Sequence, residues 1–196
     1  MSKLLYQICE KPFGFTYNQW SIEWWKWILS IPKEKNPIFD NIGKYADINQ
    51  KYPYVVFLCQ TLNAVNNIPF RNIIVKEGMN IFMPIINWIS MIPDDGTTDE
   101  ELISVAKQKI DVVQDTTLWF NDVKLTNMGC RARTPAFYVY LPKNNILDKE
   151  EGFIKIASDG YWIFTTPILK PIFLKTYGSC SKGITRISVN YTINLK

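Results

Sequence analysis

The chain has 196 residues, of which 47% are hydrophobic and 20% are charged, as in ordinary globular proteins. Its net charge is +4 and its lysines are scattered, so we expect no nucleic-acid partner, because such binding needs a concentrated basic surface. Histidine is absent, which excludes Ser-His and Cys-His catalysis and histidine-ligated metals. An enzyme built on this chain would have to use carboxylates, lysine, tyrosine or an oxygen-bound metal.

Signals for membrane insertion, export and metal binding are lacking. No apolar stretch reaches the roughly 20 residues that a membrane-spanning helix needs, and the amino terminus does not resemble a secretory signal. We therefore expect a cytoplasmic protein. Cys9, Cys59, Cys130 and Cys180 are too far apart to form a metal-binding motif. We expect them to be free thiols, mostly buried, and we expect no cofactor.

The first predicted element is a tryptophan-rich helix. Thr16 and Gln19 fit a capping box, and Pro32 disfavours the helical conformation of the residue before it, which predicts the end of the helix. The helical period places five large side chains on one face: Tyr17, Trp20, Trp24, Trp27 and Ile31. A helix with so broad an apolar surface is predicted to pack on a sheet. The alternative is an aromatic platform for a sugar, a base or a membrane surface.

The middle of the chain predicts strands around a second helix. Residues 54–61, 71–76 and 80–87 are rich in strand-forming residues, and Pro84 predicts an edge strand or a bulge in the third of these runs. A capping box and helical spacing predict an amphipathic helix near residues 98–114.

The remaining strands complete the predicted fold. A hairpin is expected to turn at Asn121-Asp122, because Asn and Asp tolerate the positive φ angles of a tight turn. Further strands are expected at residues 134–141, 161–166, 172–176 and 184–195, and residues 187–195 of the last strand alternate between apolar and polar. Many short strands without βαβ alternation predict a mainly β fold, an antiparallel β-sandwich or jelly roll, as one domain over residues 1–196.

Acidic residues suggest candidate metal and catalytic sites. Asp94 and Asp95 lie in a loop and could supply oxygen ligands to Ca²⁺, but their spacing is not that of an EF-hand. We favour the simpler interpretation of turn and helix-capping residues, and we predict no metal site. For carbohydrate hydrolysis two carboxylates would have to face each other about 5 to 9.5 Å apart. Glu23, Asp40, Asp122 and Asp159 are possible members of such a pair, which the sequence leaves open; of these, Glu23, Asp40 and Asp159 are the catalytic candidates.

A second group of candidates could bind a ligand. Asp159 and Gly160 are predicted to form a turn that leads into Tyr161 and Trp162, an arrangement found both in sugar sites and in ordinary hairpin ends. Two arginines, at positions 131 and 133, are predicted to share one strand face, where they could bind an anion or pair with internal carboxylates. We favour internal pairing of Arg131 and Arg133.

The opening of the chain resembles an uncharacterised family of prokaryotic proteins. The resemblance rests first on the spacing Trp20-x3-Trp24-Trp25-x-Trp27-x2-Ser30-x-Pro32-x3-Asn36-Pro37-x2-Asp40-x2-Gly43. Weaker blocks follow at residues 56–58, 71–75, 82–87, 159–162 and 189–191. The resemblance implies that relatives are exported and carry a cysteine pair and a histidine-containing turn, which this chain does not have. It implies a folded unit and carries no activity over to this chain.

Three functions are compatible with these observations. The first is a non-enzymatic β-sandwich domain that binds a ligand, such as a glycan or small molecule, or associates with itself. The second is a carboxylate-dependent enzyme acting on carbohydrate, with Trp162 as the sugar platform. The third is a self-assembling structural or storage protein, since a pI near 8.8 leaves little charge to oppose association near neutral pH.

Overall fold

A computed structural model describes residues 3–61, 68–181 and 186–196, which form two sheets and two α-helices. The helices are α1 (Tyr17–Leu29) and α2 (Asp99–Asp111), with short 3₁₀ turns at Pro12–Gly14 and Lys33–Lys35. The strands are β1 (Val55–Phe57), β2 (Phe70–Val75), β3 (Asn80–Met91), β4 (Val113–Phe120), β5 (Val123–Thr126), β6 (Cys130–Arg133), β7 (Phe137–Leu141), β8 (Gly152–Phe164), β9 (Ile172–Cys180) and β10 (Arg186–Leu195). The predicted mainly β fold is confirmed.

Both helices begin where their capping residues predicted. The backbone N–H of Gln19 donates to the Thr16 hydroxyl at 3.3 Å, and the Gln19 side chain accepts from the Thr16 backbone at 2.9 Å. Thr98 and Glu101 form the same reciprocal pair at the start of α2, with distances of 3.2 and 3.1 Å. Each box satisfies two amide groups that a helix terminus otherwise leaves unpaired.

The two sheets are mixed rather than purely antiparallel. The first sheet has the order β1-β3-β8-β6, with β7 also paired to β8, and the second has the order β2-β10-β9-β4-β5. The pairs β1/β3 and β2/β10 are parallel, so the prediction of a purely antiparallel sandwich is wrong at these two pairs. The reason for the first pair is topological: the chain crosses to β2 in the second sheet between β1 and β3, so no hairpin joins these neighbours.

Helix α1 covers the face of the first sheet that points away from the second sheet. Trp24 is 1% exposed, and its indole Nε1 donates to the carbonyl of Leu58 at 2.8 Å. Its ring packs edge-on against Trp162 of β8, with centroids 5.2 Å apart. The prediction of a core helix is therefore confirmed, and the alternative of an aromatic platform on this helix is wrong.

Helix α2 and the second sheet together cover the opposite face of the first sheet. On β8, Ala157 and Ile163 share that face because their positions differ by an even number. Ala157 is paired with Ser90, whose hydroxyl donates to the carbonyl of Leu102 in α2 at 2.6 Å. Ile163 instead joins the apolar core between the sheets. Both helices thus pack on the first sheet, and neither helix covers the face of the second sheet that points away from the first sheet.

Two local predictions need correction. Asp159-Gly160 lies within the continuous strand β8 and does not form a turn. Gly160 is needed for a close cross-strand approach, since a Cβ there would lie 2.6 Å from the Cβ of Asn87. Pro84 marks a bulge in β3, as one alternative predicted, but β3 is paired on both sides and is not an edge strand.

Candidate functional site

The candidate carboxylate Glu23 is engaged in a local ion-pair network. Its Oε1 accepts from Lys26 at 2.9 Å, and its Oε2 accepts from Tyr52 at 2.7 Å and from Lys51 at 3.2 Å. Burial opposes ionisation of Glu23, but the hydrogen bonds from Lys26, Tyr52 and Lys51 outweigh it and lower its pKa. A general acid needs a raised pKa, so this environment does not suit that role.

Asp40 organises a loop beside a buried arginine. Its Oδ1 accepts from the backbone of Ile42 and Gly43 at 2.9 and 3.1 Å, and its Oδ2 accepts from that of Tyr45 at 2.8 Å. The Asp40 carbonyl in turn accepts from Nε of Arg71 at 2.6 Å, and Arg71 is only 1% exposed. The side chain of Asp40 therefore stabilises its own loop, and its backbone carbonyl binds Arg71.

The third candidate, Asp159, is fully buried and paired with both predicted arginines. Nη2 of Arg131 lies 2.7 Å from Oδ2 of Asp159, and Nε of Arg133 lies 3.0 Å from the same oxygen. The same Nη2 of Arg131 also contacts Oδ1 of Asp111 in α2 at 2.7 Å. Internal pairing of Arg131 and Arg133 is confirmed, and these bonds join β6, β8 and α2.

This cluster brings two carboxylates close together but does not form an acid–base pair. Oδ1 of Asp111 and Oδ2 of Asp159 each lie 2.7 Å from Nη2 of Arg131, so these two oxygens are at most twice that distance apart. Hydrogen bonds from Lys107 and from Arg131 lower the pKa of Asp111. These cations favour the ionised form of Asp111, and both oxygens of Asp159 accept from Arg131, whereas glycoside hydrolysis needs one carboxyl group that is free to donate a proton. Within the described part of the chain, Glu23, Asp40 and Asp159 also share no hydrogen-bonding partner.

The predicted sugar platform lies in the core. Trp162 has no exposed surface, and its ring stacks on Phe82 at 5.1 Å with an interplanar angle of 10°. Tyr161 is half-buried and lies under the guanidinium of Arg131, 6.0 Å from ring centroid to Cζ. Trp162 cannot present its face to a sugar at the surface, because the indole fills the space between β8 and α1.

The two calcium candidates, Asp94 and Asp95, have protein partners. Asp94 pairs with Lys149 at 2.6 Å, and Oδ2 of Asp95 accepts from the backbone of Met91 at 2.9 Å. Within residues 3–61, 68–181 and 186–196, no three His, Cys, Asp or Glu side chains come together to hold a metal ion. The four cysteines are unpaired; Cys59 is buried, Cys9 is exposed, and the other two are half-buried.

A different surface carries the features of a binding site. On the second sheet, the residues that alternate with the buried core lie on the face turned away from the first sheet, and of these Thr117 and Ser188 are buried. We call this surface the outer face. Its members are Phe70, Asn72 and Ile74 of β2, Arg186, Ser188, Asn190, Thr192 and Asn194 of β10, Phe173, Lys175, Tyr177 and Ser179 of β9, Asp115, Thr117 and Trp119 of β4, and Lys124 and Thr126 of β5.

One cross-strand row runs the full width of the outer face. The pairing places one residue of each strand side by side in the order Phe70, Asn190, Lys175, Trp119 and Lys124. Neighbouring strands are about 4.8 Å apart, so the row is about 19 Å long. It combines two aromatic rings, an amide and two ammonium groups along a line that an extended chain molecule could follow.

The aromatic and cationic groups of the row are in contact. Nζ of Lys175 lies 4.6 Å from the centroid of the Trp119 ring, and Nζ of Lys124 lies 5.5 Å from it. At the other end Phe70 stacks on Phe173 with centroids 6.2 Å apart, while Phe70 stays 55% exposed. The lysines are held near the ring by cation–π attraction, which leaves their charges at the surface.

The outer face is positively charged and rich in amides. Its described members include three cations, at positions 124, 175 and 186, and one carboxylate, Asp115. That carboxylate already accepts from the hydroxyl of Thr117 at 2.7 Å. Asn72, Asn190 and Asn194 lie together on β2 and β10, where Nδ2 of Asn194 donates to Oδ1 of Asn72 at 2.7 Å. Such a surface offers donors and acceptors next to the exposed ring of Phe70 and the half-buried ring of Trp119.

This row is not visible in the sequence, because its members come from five strands. Alternation along β4 shows that Trp119 and Leu118 face opposite ways, but not which of them faces the core. Only the register joins Trp119 to Lys175 and Lys124. The available signal was an excess of Lys, Asn and Thr at every second position of β5 and β10.

Comparison with protein-family models, curated proteins and solved structures gave no match. The resemblance of the tryptophan-rich opening to an uncharacterised family therefore stays an expectation. No helix among the described residues has the length and apolar character required to cross a membrane.

Proposed function

We propose that this protein is a non-enzymatic binding module that holds an acidic polysaccharide on the outer face of its second sheet. The observation that carries the proposal is the row of Phe70, Asn190, Lys175, Trp119 and Lys124. Aromatic rings suit the apolar faces of sugar rings, amides suit their hydroxyl groups, and lysines suit carboxylate or sulfate substituents.

Charge favours an anionic partner over a second copy of the chain. The outer face exposes apolar side chains, with Ile74 at 62% and Phe70 at 55%, which is the kind of surface that partners cover. Two copies of this face would, however, bring Lys124, Lys175 and Arg186 against their own equivalents. Like charges placed together at an interface oppose association, whereas an acidic chain neutralises them.

The composition of the face favours a glycan over a nucleic acid. A nucleic-acid surface that makes 6 to 10 phosphate contacts needs about as many cations, whereas the described outer face has three. Amide and hydroxyl side chains outnumber these cations. A polysaccharide with scattered acidic groups matches this ratio, because most of its contacts are hydrogen bonds to hydroxyl groups.

The proposal is tested by measuring binding of polygalacturonate and of its methyl-esterified form by isothermal titration calorimetry. The two ligands share their sugar rings and differ in charge, so we expect the acidic form to bind more tightly. We expect this preference to shrink as salt is raised from about 0.05 to 0.5 M, because exposed charges are screened. An oligo(dT) strand serves as a second anion; tighter binding of oligo(dT) than of polygalacturonate would overturn the assignment to a glycan.

Variants locate the site. Replacing Lys124 and Lys175 with Gln should weaken polygalacturonate binding by about tenfold, because two charges that contact the ligand are lost. The matched control is Lys109→Gln, since Nζ of Lys109 lies 5.1 Å from the ring of Trp88 in a similar pair away from the second sheet. Equal losses in the control and in the double variant would refute the outer face as the site.

A further inference from the structure

Strand β2 forms one edge of the second sheet, and part of its free side has unpaired backbone groups. The carbonyl of Val75 accepts from the N–H of Lys196 at 3.0 Å, so the odd-numbered residues of β2 direct their backbone groups at β10. The even-numbered residues direct theirs at the free side. There the N–H of Asn72 donates to the carbonyl of Ile42 at 2.9 Å, whereas the N–H and the carbonyl of Ile74 have no partner among the described residues.

The neighbouring parts of the two sheet edges are covered by the chain itself. On β1, the side-chain amide of Gln50 donates to the carbonyl of Phe57 at 2.8 Å and accepts from its N–H at 2.9 Å. On β2, the chain pairs at Asn72 and then turns away at Gly43, which has a φ of 93° and lies so close that a Cβ there would be 2.9 Å from the Asn72 carbonyl oxygen. The second half of β2 is left open, and an open edge is a template for another strand.

A groove of about 490 Å³ follows this open edge, and we call it the β2 groove. One side of it is β2 itself at residues 72–76, and the other side includes residues 43–50. Val56, Ile73 and Val75 are buried and supply its apolar part. A chain extended along the groove would meet the backbone of Ile74, and every second side chain of it would face the apolar part.

The charged side chains of the β2 groove are mostly cationic. Lys44, Lys76 and Lys196 line it, and Asp47 is the one acidic side chain among its described lining residues. Among the described residues, Lys44 and Lys76 form no ion pair. A second copy of this edge would bring the same lysines together, which opposes association, whereas an acidic chain neutralises them.

From these observations we infer that the β2 groove binds an extended acidic segment of a partner protein, which adds a strand to the second sheet beside Ile74. Main-chain hydrogen bonds to the open edge provide affinity, and the apolar part and the lysines of the groove select the side chains. This site is distinct from the proposed glycan row, because none of the five residues of that row lines the β2 groove.

The test titrates the full chain into a fluorescein-labelled peptide of alternating valines and threonines between pairs of aspartates, and follows its anisotropy. We expect saturable binding at one site per chain. The same peptide with lysines in place of the aspartates should bind at least about tenfold more weakly, because its charges repel those of the groove. The acidic peptide N-methylated at its central amides keeps its charge but loses its donors, and it should also bind at least about tenfold more weakly.

Variants of the chain locate the peptide. Lys44→Glu combined with Lys76→Glu should weaken binding of the acidic peptide by at least about tenfold. The matched control is Lys124→Glu combined with Lys175→Glu, which makes the same charge change on the outer face and should stay within about twofold of the parent. Ile74→Pro removes the N–H that faces the free side and no bond to β10, so it should weaken binding by about threefold to tenfold.

Several results would overturn the inference: no saturable binding, equal binding of the acidic peptide and either control peptide, or equal losses in the two double variants. A dimer of the free protein that Ile74→Pro dissociates, measured by sedimentation equilibrium, would show that a second copy covers the edge and would overturn it as well. If Ile74→Pro does not fold, the three peptides and the two double variants still decide.

Discussion

Replacing Arg71 with Met should destabilise the fold more than any surface substitution. The guanidinium of Arg71 is 1% exposed and donates to three close acceptors: the carbonyl of Asp40 at 2.6 Å, the carbonyl of Cys59 at 2.7 Å and the hydroxyl of Tyr191 at 2.5 Å. These bonds connect β2, β10 and the segment after α1. Met fills a similar volume but donates to none of these oxygens.

The magnitude follows from the acceptors that are left unpaired. The hydroxyl of Tyr191 still donates to the carbonyl of Cys59 at 2.8 Å in the variant and still accepts from the Cys59 backbone at 3.3 Å. The acceptors that lose the guanidinium as donor are therefore the carbonyls of Asp40 and Gln60. Each buried acceptor without a donor costs about 1 to 3 kcal/mol, so the two together cost about 2 to 6 kcal/mol. Part of this cost is offset, because Met does not require desolvation of a charge, and we therefore expect the free energy of unfolding to fall by about 2 to 4 kcal/mol.

Urea denaturation measures this change, with Lys124→Met as the matched control. The control removes an exposed cation on the outer face, so it should change the free energy of unfolding by less than about 0.5 kcal/mol. Arg71→Lys keeps the charge but lacks the forked donor geometry, and it should lie between Arg71→Met and the parent. A loss below about 1 kcal/mol in Arg71→Met would show that desolvation of the guanidinium cancels its hydrogen bonds, which would refute the reasoning.

Three further results are expected. Trp24→Ala should lower the free energy of unfolding in urea by about 3 to 5 kcal/mol, because it empties a buried indole site; a loss below about 1 kcal/mol would contradict that burial. Glu23 has a lowered pKa, so its stabilisation is complete above the ordinary value of 4.5 and is lost as pH falls through the lowered value; the stability difference from Glu23→Gln, followed in acid, should shrink accordingly. Burial raises the pKa of Cys59, so iodoacetamide should modify exposed Cys9 in the native protein and reach Cys59 only after unfolding, as peptide mass spectrometry can check.

Local signals in the sequence were enough to predict both helices. A capping box involves residues three positions apart, so Thr16 with Gln19 and Thr98 with Glu101 define helix starts before any tertiary contact forms. The hairpin of β4 and β5 was predicted for the same reason, since Asn121 adopts a positive φ of 53° in its turn. The burial of the tryptophan helix also followed from its own apolar circumference.

Contacts between distant segments decided the rest. Asp159-Gly160 has the composition of a turn, but the close approach of Asn87 places it inside β8, and the same strand brings Arg131 and Arg133 onto the buried carboxylate. The parallel pairs depend on the chain crossing between sheets, which no local pattern encodes. The candidate binding row has one residue from each of five strands, and a shift of one residue in any register would turn a member inward. Sequence determined which segments fold into helices and strands; register and layer order determined which side chains face a partner, because these depend on the packing of the whole core.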